Sequence, residues 1–202
     1  GVFERARRAL RPKASPVPIE SAPAGVGIAL SGGFARGFAH LGVIQVLEEN
    51  GIRVTHIAGS SIGSLLGAAY AAGETVERIA AEGRRIRFRD FGRWTLSRLG
   101  LASNDRLGEL VRRSFRVQTF EELKIPTAVV ATDLGTGEPL VITRGRLDEA
   151  IRASCAFPGL FEPVQAGERW LADGGLVAPV PAQAARELGA GLVIGVSVGF
   201  NH

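Results

Sequence analysis

Two short apolar runs each lead into a glycine-rich turn and then into a helix, and this repeated order constrains the fold more than any other feature. Gly25-Val-Gly-Ile-Ala-Leu30 enters Ser31-Gly32-Gly33, and helical sequence follows from Arg36 to Asn50, with Asn50-Gly51 as its stop. Val54 to Ala58 enters Gly59-Ser60-Ser61-Ile62-Gly63, and a helix of small residues follows to Ala72, stopped at Gly73. Short continuous apolar runs suit strands buried on both faces, and parallel neighbours need a helical crossover between them. The order continues with helices over 75–86 and 107–115, a strand over 126–132, an edge segment over 137–142 and a helix over 147–154. A short strand over 170–172, a helix over 182–188 and a strand over 192–198 close the chain. The expectation is an α/β three-layer sandwich with a mainly parallel central sheet. Leu41, Val43, Ile44, Val46 and Leu47 cover nearly every face of the first helix, which predicts that it is buried. In sheets of this kind, sites gather at the carboxyl ends of the strands.

Composition narrows the function classes. With 202 residues, 46% of them hydrophobic, the chain can bury the core of one domain and is not a disordered polymer. The longest membrane-span candidate, 57–72, is broken by Ser60, Ser61, Ser64 and three glycines. One cysteine excludes an internal disulfide framework, and three scattered histidines argue against a metal centre, so neither metal nor cofactor is expected. The chain contains no methionine, so it reads as processed or as part of a longer protein. Residues 1–24 form a basic, proline-rich leader without the apolar centre of a signal peptide, and the folded domain is expected over 25–202. Charge is uneven: residues 84–116 hold ten arginines against Asp90, Asp105 and Glu109. A basic segment on an otherwise acidic body points to an anionic partner.

The strongest chemical signal is the strand, then Gly59-x-Ser61-x-Gly63, then the helix. A nucleophile on a sharp strand-to-helix turn needs small neighbours, and the helix that follows aims its amide dipoles at developing negative charge. Ser60, one residue early, lacks the flanking glycines. The first turn, Gly32-Gly33-Phe34-Ala35-Arg36-Gly37, fits neither a P-loop nor a dinucleotide fingerprint. Its unpaired amides at a helix N-terminus suit an oxyanion hole. Arg36 has two assignments, screening an oxyanion or phosphate and pairing with a surface acid.

A serine nucleophile needs a proton acceptor. His56 falls inside a buried strand, His40 inside the first helix, where it packs or caps, and His202 at the chain end. None stands where a triad histidine should. Asp173 and Asp133 both end short apolar strands before a turn, and either could face the serine or simply shape that turn.

Four segments in order resemble the patatin-like phospholipase family, in its bacterial branch related to neuropathy target esterase. They are Leu30-Ser-Gly-Gly-Phe-Ala-Arg-Gly-Phe-Ala-His40-Leu-Gly-Val43, Gly59-Ser-Ser-Ile-Gly63, Ala153-Ser-Cys-Ala-Phe-Pro-Gly-Leu-Phe-Glu-Pro163 and Asp173-Gly-Gly-Leu. The resemblance implies a patatin-like fold, Ser61 as nucleophile, Asp173 as its partner in a dyad without histidine, and Gly32 to Gly37 as the oxyanion hole. Many members carry a third glycine where this chain has Phe34. Phenylalanine keeps its N–H, but a positive φ is costly for it.

The implied reaction is hydrolysis of a phospholipid or another acyl ester, with a non-catalytic lipid- or protein-binding module as the alternative. Aspartate is ordinarily a weaker base than imidazole, so a dry pocket is needed to raise its pKa. Phe34, Phe157, Leu160 and Phe161 read as core, with the wall of such a pocket as the competing assignment; Cys155 reads as an inert buried thiol. The Arg84–Arg116 segment interleaves guanidinium groups with Phe88, Phe91, Trp94 and leucines, which suits the surface of an anionic membrane. Nucleic acid is not expected as a partner, because no recognition motif accompanies the arginines. The expected location is cytoplasmic or peripheral to a membrane.

Overall fold

A computed structural model describes residues 25–86, 90, 92–94 and 100–199. The expected leader, part of the arginine-rich segment and His202 lie outside the described residues. In chain order the elements begin with β1 (Val26–Leu30), a 3-10 turn (Phe34–Phe38), α1 (Ala39–Glu49), β2 (Val54–Ser60), α2 (Ile62–Ala71) and α3 (Val76–Arg85). β3 (Arg93–Trp94), β4 (Gly100–Ser103), α4 (Asp105–Ser114), β5 (Thr127–Asp133), β6 (Pro139–Ile142) and α5 (Leu147–Ser154) follow. The chain continues through β7 (Gly159–Phe161), β8 (Val164–Ala166), β9 (Arg169–Asp173), a 3-10 turn (Gly174–Leu176), α6 (Ala182–Glu187) and β10 (Leu192–Val196).

The main sheet runs in the order β10-β1-β2-β5-β9-β8, with β6 on the other edge of β5. β10, β1, β2 and β5 are parallel, and β6 and β9 are antiparallel to β5. Alternate side chains divide between the two faces. Ile28, Leu30, Ile57 and Val129 join the principal core with helices α1 to α5. Ala58, Ala128 and Val130 meet Ala184 and Ala185 of α6 on the opposite face, which completes three layers. Gly27 on that face leaves room for α6 and the turn after it: a Cβ there would come 3.6 Å from the Cβ of Ala185 and 2.6 Å from that of Ala190.

One edge of β5 explains the site. β2 pairs with residues 127–130 and β9 with residues 131–133, while β6 covers the opposite edge over 129–132. Because β2 is parallel to β5 and β9 antiparallel, their carboxyl ends meet head-on at the middle of β5. Ser60 registers with Val130, and Asp173 with Ala131.

One expectation needs correction, and one part of the fold was not anticipated. α1 is not wholly buried: His40, Leu41, Ile44 and Leu47 form its buried stripe, while Val46 is exposed. Hydrophobic residues all round a helix do not force burial when one flank borders open space. The sequence also gave no sign of the small sheet formed by β3, β4 and β7, nor of β8. These strands have two to four residues, too few for an alternation to register. Among the described residues, no helix is long and apolar enough to cross a membrane.

Candidate active site

β2 ends at Ser60, α2 begins at Ile62, and Ser61 takes the bend between them at φ 54° and ψ −127°. Such a conformation costs a residue with a side chain about 1–3 kcal/mol and persists only where the surroundings hold it. Here the hold is mutual hydrogen bonding. The Ser61 N–H donates to Ser154 Oγ at 2.8 Å, and the Ser154 hydroxyl donates to the Val130 carbonyl at 2.6 Å. The Ser64 hydroxyl donates to the Ser61 carbonyl at 2.6 Å. The flanking glycines are needed for space. A Cβ on Gly59 would overlap the backbone of Gly63 and Ser64, and one on Gly63 would overlap the carbonyls of Leu30 and Ser31.

The Ser61 hydroxyl donates to Asp173 Oδ2 at 2.6 Å. The Asp173 carboxylate also accepts the Gly175 N–H on Oδ1 at 2.7 Å, and the Thr132 hydroxyl donates to the Asp173 backbone carbonyl at 2.7 Å. Asp173 is only 3% exposed. Burial pushes its carboxyl above the ordinary value, and the hydrogen bonds from Ser61 and Gly175 offset part of that rise. Asp133, its rival in sequence, instead accepts from the Gly135 amide and from Arg169, and so shapes its own turn.

The histidines serve elsewhere. His40 is fully buried, and its ring meets the Ser31 carbonyl at 2.9 Å; a carbonyl only accepts, so Nε2 carries the proton. Burial lowers its pKa and keeps the ring neutral. His56 hydrogen bonds Thr55 in β2, and His202 lies outside the described residues. Ser60 points to the other face, where its hydroxyl donates to the Ala178 carbonyl.

The glycine loop lies directly against Ser61: a Cβ on Gly32 would come 3.3 Å from Ser61 Cβ. Ser31 anchors it, donating to the Gly32 carbonyl at 2.8 Å and accepting the Val198 N–H at 2.9 Å. Among the described residues, the amides of Gly32, Gly33, Phe34 and Ala35 donate to no protein group, whereas the Arg36 amide donates to the Gly33 carbonyl. Gly37 packs against Ile62 at the start of α2. Phe34 does adopt the costly backbone, at φ 49°.

A cavity of about 810 Å³ opens at Ser61 and Asp173, lined mostly by apolar groups. Phe34, Phe157, Leu160 and Phe161 all belong to its wall, so the core assignment fails for the first two, which are 55% and 40% exposed. Their rings meet edge-on, with centroids 5.3 Å apart. Phe161 is buried and serves both as core and as wall. Cys155 also lines this cavity; burial and the neighbouring Asp173 charge push its thiol up, which keeps it protonated and inert. Ser154, Ser64 and Thr132 escaped the sequence reading, because a hydroxyl in a helix or at a strand end looks the same whatever it bonds.

The sequence model of patatin-like phospholipases matches residues 28–186. An uncharacterized NTE family protein of Mycobacterium tuberculosis is 39% identical over 176 residues, covering 86% of this chain and 49% of the relative. Patatin-like phospholipase domain-containing protein 6 of Mus musculus is 32% identical over 187 residues, covering 86% of this chain and 13% of the relative. The chain therefore spans about half the length, or less, of these curated relatives. Among solved structures, VipD from Legionella pneumophila aligns with a TM-score of 0.64 at 16% identity, over 78% of this chain and 47% of that one, a likeness of fold.

Proposed function

From the premise that the chain belongs to the patatin-like phospholipase family, we propose that it is a serine lipid acyl hydrolase working through Ser61 and Asp173. The observation that carries this reading is the 2.6 Å hydrogen bond from the Ser61 hydroxyl to a buried carboxylate at the end of an apolar cavity. The same pair favours catalysis over a non-catalytic binding module, which has no use for a strained serine facing an unneutralised acid.

In the proposed reaction Ser61 Oγ attacks the ester carbonyl carbon while its proton passes to Asp173 Oδ2. The carbonyl oxygen becomes an oxyanion, stabilised by the open amides of the Gly32–Ala35 turn, each donor contributing about 3 kcal/mol. Arg36 and Gly37 support this turn, the first through its amide bond to Gly33 and the second through its seat on Ile62. As the intermediate collapses, the ester C–O bond breaks and the leaving alcohol takes the proton from Asp173. Water then gives a proton to Asp173 and attacks the acyl carbon; the fatty acid leaves, and Ser61 recovers its proton. The raised carboxyl pKa makes Asp173 a stronger base than an exposed aspartate.

Hydrolysis of p-nitrophenyl butyrate tests this reading. Asp173 must be ionised to accept a proton, so kcat/KM is expected to rise with pH along one limb, with its midpoint above the ordinary aspartate value of about 3.9. Absence of turnover, or a midpoint at the ordinary value, would count against the dyad.

Peripheral contact with an anionic membrane through the Arg84–Arg116 segment is also proposed. Its support is the excess of arginine in the segment together with its exposed Leu101. Part of the charge is already matched: Arg85 pairs with Glu82, Arg112 with Asp148 and Arg116 with Glu74. Residues 87–89, 91 and 95–99 of this segment lie outside the described residues. Sedimentation with phosphatidylcholine vesicles is expected only when phosphatidylglycerol is added, and is expected to vanish near 1 M salt, where charges are screened within about 3 Å. Binding indifferent to both would remove the membrane from the account.

A further inference from the structure

Two helix faces confront each other across the catalytic cavity. Leu41, Gly42 and Gln45 of α1 line one side, and Val76, Ala80 and Gly83 of α3 the other. The spacings of three and four residues put each set on one face of its helix. Ser61 lies towards the start of α1, beside the glycine turn, and Gln45 stands about 9 Å further along α1 than Ala39 at 1.5 Å per residue. The part of the cavity that these two helices line is therefore mostly apolar and runs along α1 away from Ser61.

Gly42 is the anomaly on this path. It sits inside an α-helix, where glycine is the least favourable residue after proline. Packing does not demand it: a Cβ there would meet no heavy atom within 4 Å. It lies in the helical part of the chain, and its φ is not among the positive ones. Gly42 is exposed and is one of the residues that line the cavity. By contrast, Gly83 across the path is held by packing, since a Cβ there would overlap the ring of Phe38.

We propose that the α1–α3 groove is the bed of a long, unbranched acyl chain, and that Gly42 sets its bore and thereby the chain-length preference. This rests on the acyl hydrolase reading above. A side chain at position 42 would stand in the path of the chain beyond its first few carbons, and its Cβ would meet no protein atom within 4 Å. Short acyl groups end before they reach it.

The test is a series of p-nitrophenyl esters from four to sixteen carbons, hydrolysed by wild type, Gly42→Ala and Gly42→Leu. Each methylene held out of water is worth roughly a factor of four in affinity. Gly42→Leu is expected to keep butyrate turnover within about twofold and to lose at least about thirtyfold in kcat/KM for chains of twelve carbons and more. Gly42→Ala is expected to melt higher than wild type, because it removes a helix-interior glycine. An unchanged length profile in Gly42→Leu, or an equal loss at every length, would overturn the proposal while leaving the hydrolase reading intact. If wild type hydrolyses no ester, that reading falls, and displacement of a fluorescent long-chain fatty acid from Ser61→Ala protein decides the groove. Weakening of at least about tenfold by Gly42→Leu upholds the bed; undiminished binding, or none to either protein, overturns it.

Discussion

Asp173→Asn is expected to lose about a thousandfold or more in kcat/KM and still to melt higher than wild type at pH 8. The two effects have one cause. The Asp173 carboxyl is buried, which raises its pKa in the fold above the unfolded value. Between those two values the folded chain keeps a proton that the unfolded chain has released, so folding stability falls as pH rises. The contribution is fully present below the unfolded pKa and gone once pH has passed through the folded one. Asparagine cannot ionise, so its advantage over wild type grows across that window and is flat above it. Its carboxamide oxygen still accepts the Gly175 amide, and its NH₂ can donate to Ser61 Oγ, but it cannot take a proton. Thermal melts of both proteins from pH 3 to 9, with butyrate turnover beside them, check this. A variant that loses activity and melts lower at pH 8 would contradict the buried-charge account.

Ser61→Ala and Ser61→Gly are both expected to lose ester hydrolysis by about ten-thousandfold or more, since each removes the atom that bonds to the acyl group. Their stabilities should differ. Alanine at φ 54° inherits the strain of the bend, whereas glycine visits positive φ freely. Ser61→Gly is therefore expected to be the more stable of the two, by about 1 kcal/mol. Equal melting temperatures would mean that the Ser154 and Ser64 hydrogen bonds, rather than a backbone penalty, dominate at the elbow. Residual hydrolysis in both variants would mean that another group attacks the ester.

The elbow was legible because its requirements are local. Gly59 and Gly63 stand where the backbone doubles back on itself, and the apolar run before them and the helix after them are written in adjacent residues. The helix over 147–154 could be read to its bounds for the same reason. The choice between Asp173 and Asp133 is not local. Both end an apolar strand before a turn, and what separates them is that β9 runs antiparallel along the edge of β5 already used by β2. That long-range pairing brings the two carboxyl ends together, and only the family resemblance had pointed to Asp173. Phe34 and Phe157 illustrate a different loss, since a large apolar side chain has the same pattern in a core as at the mouth of a cavity. Val46 on α1 shows the same ambiguity, since an apolar residue at that spacing reads as buried and yet stands exposed. Ser154 stayed hidden as the last residue of its helix, although it connects the Ser61 amide to the central strand.

Covalent labelling with a fluorophosphonate, followed by peptide mapping, tests the central claim most directly. One adduct is expected, on Ser61, forming quickly in the wild-type protein and slowly in Asp173→Asn. An adduct on any other residue, or an unmodified Ser61 in protein that still hydrolyses esters, would contradict it.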